Sequence, residues 1–189
     1  MNIQSAVLGS PRLHRTIAMS ASSLAFAVLL GFSALVKIPI PGTPVPLTLQ
    51  TFVLLAGAGI LGRFYALEMV GWYLALGLAG APFFIEGSGL AHIIGPSGGY
   101  LLGFMIAAGI VGFAPTKKFG SVAKAVTYIA ATLSIYIAGV THLKLVSGSS
   151  WNMAIAMGAY PFIAGDIIKA IAASIGVSKI RKALNGIPD

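Results

Sequence analysis

The chain has 189 residues, of which 57% are hydrophobic and only 8% are charged, with a mean hydropathy of +0.94. Soluble globular domains carry about 25% charged residues, so this chain has too few to cover a water-facing surface; a soluble enzyme, a soluble nucleic-acid-binding domain and a disordered segment are excluded. Its 12 basic and 4 acidic residues leave a net charge of +8, and the absence of cysteine removes disulfide and thiol chemistry.

A membrane-crossing helix needs about 20 mostly apolar residues. The first such run is Leu13–Val36, too long for the apolar core of a signal peptide and followed by further spans. Lys37–Leu47 reads KIPIPGTPVPL, and four prolines in eleven residues forbid a helix, so an ordered or polyproline-like loop is expected. A short second span, Thr48–Leu61, turns at Gly62–Arg63 into a third, Phe64–Leu78. Ala79–Pro96 is a second irregular stretch, rich in Gly and Pro and holding Glu86 and His92. The fourth span is Ser97–Phe113 and the fifth Val122–Leu145. A short helix over Trp151–Ala159 precedes a sixth span, Pro161–Val177, and the tail beyond it is basic and amphipathic. The pattern predicts an all-α integral membrane protein, six transmembrane helices in one domain over residues 1–189.

The charges fit this count. Arg12, Arg15, Arg63, Lys117, Lys118, Lys124, Lys179, Arg181 and Lys182 all fall at the termini or in the second and fourth loops. Only Lys37 and Lys144 fall in the odd-numbered loops, and Lys169 lies within a span. By the positive-inside rule both termini are cytoplasmic, and the Pro-rich, Gly-rich and fifth loops gather on the outer side. The basic residues are spread along the headgroup level without alternating aromatics, so no nucleic-acid partner is expected.

Charges inside the spans are few: Glu68, Asp166 and Lys169. An ionised group near the bilayer centre costs about 2.5–3.5 kcal/mol on insertion scales and usually marks a solute path. Asp166 and Lys169 share one helical face, three residues apart, and lie about 7 and 12 Å below Pro161 at about 1.5 Å per residue. Glu68 is close enough to Arg63 in sequence to pair with it. Gly57-Ala58-Gly59-Ile60-Leu61-Gly62 matches a dinucleotide fingerprint but has no preceding strand, so helix packing is the reading adopted. Ser88 near His92 has no group to hold a base in register, and an aspartyl-protease reading of Gly165-Asp166 lacks a second intramembrane aspartate. With only His14, His92 and His142, no histidine metal cage is expected, and no Walker A sequence is present.

Three runs together carry a resemblance: IPIPGTPVPLTLQTFVLLAG (Ile38–Gly57), GPSGGYLLGF (Gly95–Phe104) and YPFIAGDIIKA (Tyr160–Ala170). Nearly the whole chain resembles the BioY family, the biotin-binding S-components of energy-coupling factor (ECF) transporters. The resemblance implies biotin capture on the outer side and delivery through one transmembrane coupling protein and two ATP-binding-cassette ATPases, in a bacterial-type plasma membrane, with no cofactor and no enzymatic activity. It implies that the Pro-rich loop with Thr43 covers the ligand and that Asp166 and Lys169 belong to the ligand site. It also implies a small-residue face on the first helix, here Ala21 and Ala25, that docks to the coupling protein.

Biotin offers two ureido N–H donors, one ureido carbonyl, a thioether ring and a carboxylate. Either charged residue could meet either polar end; the assignment adopted puts Asp166 on the ureido side with Lys169 orienting and neutralising it. Gln50 is a candidate for an amide hydrogen bond, and Tyr73, with Trp72 and Phe84, for the apolar wall. Gly98, Gly99 and Tyr100 begin the fourth helix, whose positive end faces the outer cavity. Glu86 and His92 are left outside the core site. Other readings are an S-component for thiamine or riboflavin and, more remotely, an intramembrane enzyme.

Overall fold

The computed structural model describes residues 11–85, 87–114 and 120–184, with backbone alone at positions 63 and 184. Glu86, Lys117 and Lys118 lie outside the described residues. The chain runs α1 (Pro11–Ser33), β1 (Lys37–Ile38), β2 (Leu47–Thr48), α2 (Gln50–Leu61), α3 (Arg63–Leu78), α4 (Leu90–Ile94), α5 (Gly98–Phe113), α6 (Ser121–Ser147), α7 (Trp151–Gly158) and α8 (Ile163–Leu184). All six apolar runs read from the sequence are helical. The Pro-rich loop is closed at its base by a two-residue antiparallel ribbon that pairs Lys37 with Thr48 and Ile38 with Leu47. The Gly-rich stretch contains the short helix α4, which the sequence reading left irregular.

Length separates these helices. α1 and α6 are each long and apolar enough to cross a bilayer; α7 and α8, bent by 51° at the break between them, reach that length together. The helices α2, α3 and α5 are apolar but have 12, 16 and 16 residues. At about 1.5 Å per residue, α2 covers only about 18 Å of a hydrocarbon core about 30 Å thick. The outer surface is apolar, with Phe32, Val122, Ile137 and Ile168 exposed, a surface that suits lipid and not water.

α2 is the centre of the bundle, packed against α1, α3, α5 and α8. Nine of its twelve residues are buried, which explains why its apolar residues show no one-sided stripe. Glycine permits the close approach: a Cβ on Gly57 would lie 2.7 Å from Met69 Sδ, and one on Gly59 would collide with the Tyr128 hydroxyl. The apparent dinucleotide fingerprint is thus a packing face. Gly62 turns α2 into α3 at φ +70°, a conformation that side chains with a Cβ rarely adopt. The α5–α6 contact, the most extensive among the described residues, is equally tight, with a Cβ on Gly103 placed 2.7 Å from Ile135 Cα. This packing fixes the helix ends around the ribbon, where the site lies.

Candidate functional site

A cavity opens between the ribbon loop, the N-terminal halves of α2, α5 and α8, and the middle of α6. It holds about 430 Å³ of empty space, a figure that includes the open solvent at its mouth. Val45, Pro46, Leu47 and Thr48 of the loop form one wall, with Ile85 from the Gly-rich stretch beside them. Phe104 and Ile135 supply apolar surface from α5 and α6, and Phe162 closes the α8 end. Gln50, Thr51, Tyr100, Tyr136 and Asp166 are the polar groups that reach it. A mostly apolar chamber with a few convergent polar atoms suits a small amphiphilic solute.

The acid that lines it is held on both oxygens. Lys169 Nζ lies 2.8 Å from Asp166 Oδ1, one turn away on α8, and the Tyr136 hydroxyl donates to Oδ2 at 2.6 Å. Asp166 is also in the first turn of α8, where the helix dipole favours a negative charge. Its burial is offset by these bonds, since an isolated carboxylate in so apolar a place would be strongly disfavoured. Lys169 donates a second bond, to the carbonyl of Thr48 at 2.6 Å.

From Thr48 the polar contacts continue away from the acid. The Thr48 hydroxyl donates to Gln50 Oε1 at 3.4 Å and accepts from the Gln50 backbone N–H at 3.3 Å. Gln50 Nε2 donates to the Tyr73 hydroxyl at 2.8 Å, and that hydroxyl donates to the Phe83 carbonyl at 3.3 Å. A continuous series of polar contacts, through side chains and the Thr48 and Phe83 carbonyls, thus joins α6, α8, the ribbon, α2, α3 and the Gly-rich stretch. Lys37 Nζ ties the ribbon to that stretch again, donating to the Ile85 carbonyl at 3.2 Å.

The residues singled out in the sequence fall into separate groups. Asp166, Gln50 and Tyr100 line the cavity, and Lys169 stands directly behind Asp166. Tyr100 is anchored by its hydroxyl to the Gly158 carbonyl at 2.7 Å. Tyr73 lies behind the wall, fully buried, where it supports Gln50 and packs edge-on against Phe84. Thr43 folds onto its own turn, bonded to the Val45 backbone at 3.1 and 3.2 Å, and braces the loop from outside the cavity lining. Gly98 and Gly99 serve close packing: a Cβ on Gly98 would collide with the Ile93 carbonyl, and one on Gly99 would lie 2.5 Å from the Ala138 carbonyl.

Trp72 is partly exposed on the outer face and donates to Glu68 at 3.3 Å, and Ser20 donates to the same carboxylate at 3.3 Å. The Arg63 side chain, the partner suggested for Glu68, lies outside the described residues. His92 stacks at a tilt on Phe84, 6.2 Å between ring centres. Ala21 and Ala25 are exposed on α1. Sequence reasoning missed Tyr136, Phe104, Thr51, Ile135 and Phe162. A tyrosine in a long apolar helix carries no local mark of which way it faces.

Comparison with known proteins agrees with this architecture. The model of the BioY family matches residues 8–186. The "Probable biotin transporter BioY" of Lysinibacillus sphaericus is 35% identical over 169 residues, covering 83% of each chain. The "Biotin transporter BioY" of Thermotoga maritima is 34% identical over 158 residues, covering 83% of this chain and 92% of that one. Among solved structures, the chain superposes with a TM-score of 0.80 and 30% identity on the S-component for biotin from an ECF-type ABC transporter, covering 90% of this chain and 93% of that chain. Such a match, over nearly the full length of both sequence and fold, is specific: this chain is a member of the BioY family.

Proposed function

We propose that this chain is the biotin-binding membrane subunit, the S-component, of an ECF-type vitamin uptake transporter. It captures biotin and is not an enzyme. The observation that carries the reading is the buried Asp166 in the lining of an apolar cavity, with acceptor capacity left on both oxygens. A ureido N–H donor matches that acid, and the thioether ring matches the apolar wall around Phe104 and Phe162.

In this reading the six apolar segments cross a bacterial plasma membrane as one domain, with both termini cytoplasmic and the cavity outward. Residues Asp166, Lys169, Gln50 and Tyr100 form the ligand site, with Tyr73, Thr43, Gly98 and Gly99 holding its walls. The partner is an ECF module of one transmembrane coupling protein and two ATPases, which docks against Ala21 and Ala25.

The test is a thermal-shift and titration screen of the detergent-solubilised protein against a dozen vitamins. Biotin alone stabilises the protein, and Asp166→Asn weakens biotin binding at least tenfold with the fold intact. Stabilisation by thiamine or riboflavin in place of biotin overturns the assignment of substrate. Unchanged affinity in both Asp166→Asn and Lys169→Ala removes the site.

A further inference from the structure

Tyr136 comes from α6, thirty residues before Asp166, and both side chains are buried at the cavity. A carboxylate can rotate about its last torsion with little resistance, because sp³–sp² torsions have broad wells. One bond to one oxygen leaves that rotation free, whereas bonds to both oxygens from different directions stop it. Lys169 holds Oδ1 from the same helix, and Tyr136 holds Oδ2 from the neighbouring one.

The protons are then assigned. The Tyr136 hydroxyl has one hydrogen, and that hydrogen is given to Asp166. What the hydroxyl presents to the cavity is lone pairs. Asp166 has about four lone-pair sites, of which these contacts use two. Neighbouring groups on two helices therefore present only acceptors, the complement of an N–H donor.

We propose that Tyr136 is a positioning residue for ligand capture: it locks the plane of the Asp166 carboxylate so that a free lone pair meets a ureido N–H. The proposal rests on the reading of this cavity as the biotin site. Loss of the hydroxyl leaves the carboxylate free to turn and leaves the ligand to order it on binding. It removes no apolar surface.

The experiment is a double-mutant cycle on the full-length, detergent-solubilised protein, with biotin affinity read by titration and ligand-free melting as the control for folding. Tyr136→Phe is expected to weaken biotin about tenfold, and desthiobiotin, which keeps the ureido ring, by the same factor. In an Asp166→Ala background the added loss from Tyr136→Phe falls below about twofold, because the group it positions is gone. Asp166→Asn, which keeps the side-chain volume, is the second background.

Wild-type biotin affinity in Tyr136→Phe, alongside a weakened Asp166 variant, overturns the positioning role and leaves the site standing. Losses that multiply in full also overturn it, since Tyr136 then acts independently of Asp166. Wild-type affinity in both Asp166 variants overturns the site itself and the proposal with it.

Discussion

Lys169 Nζ sits 2.6 Å from the backbone carbonyl of Thr48, a residue 121 positions earlier in the chain. The same ammonium binds Asp166, so the acid that lines the cavity and the base of the Pro-rich loop share one cation. A ligand that bonds to Asp166 therefore touches a group mechanically tied to the loop that walls the cavity.

Lys169→Ala should accordingly damage both affinity and stability. Taking one partner from a buried ion pair costs about 3–5 kcal/mol. With side chains 16% and 9% exposed, a value near the lower end is expected here. Melting of the ligand-free protein measures the first effect. Titration with biotin measures the second, expected to be a tenfold loss or more. Lys169→Met keeps the apolar stem and separates lost charge from lost packing.

Tyr73→Phe tests the polar series on the far side of Thr48. Gln50 Nε2 loses its acceptor and the Phe83 carbonyl its donor, both in buried positions. Unsatisfied buried groups cost about 1–3 kcal/mol. The melting temperature should fall, and biotin affinity should drop severalfold through the loosened Gln50. A melting curve identical to the parent protein would show that the series contributes nothing.

Gly103→Ala adds one methyl group where α5 meets α6. Its Cβ would stand 2.7 Å from Ile135 Cα, against backbone that cannot swing aside. Overpacking of this sort costs about 1–3 kcal/mol. Gly71→Ala is the matched control, with nothing within 4 Å of its Cβ. Gly71→Ala should leave stability unchanged or raise it by about 0.5–1 kcal/mol through helix propensity. Comparison of the two melting temperatures decides the matter.

Ala25→Trp probes the exposed face of α1. The side chain points away from the bundle core, so biotin binding should persist at the parent affinity. Co-purification with an ECF module should be lost. Retention of a normal complex would exclude this face as the docking surface.

The helices were legible because apolar runs are a local property. Thr48–Leu61 became a helix at Gln50–Leu61, and Ser97–Phe113 one at Gly98–Phe113. The i,i+3 spacing likewise placed Asp166 and Lys169 on one face before any fold was known, and they bond as an ion pair. Spacing gave no guide to Tyr136, whose partner is on another helix, or to Thr51 and Phe104. Gly98 and Gly99 stand where the sequence suggested ligand contact, yet their lack of a side chain serves the fit of α5 against α4 and α6. Thr43 is in the expected loop, with its hydroxyl turned to its own backbone.

Composition, hydropathy and charge placement by themselves determined the class of solvent, the apolar segments and the acid–base pair. Each depends on residues near one another in the chain and on their free energy of transfer into lipid. Only the tertiary structure decided which polar groups converge on Asp166, which aromatic residues line the cavity, and how the loop is tied to it. Those relations depend on crossing helices, and their close approach is set by packing at Gly57, Gly59 and Gly103. The physical reason is one of range: burial in a bilayer is scored residue by residue, whereas a binding site is assembled from separate helices by packing and hydrogen bonds.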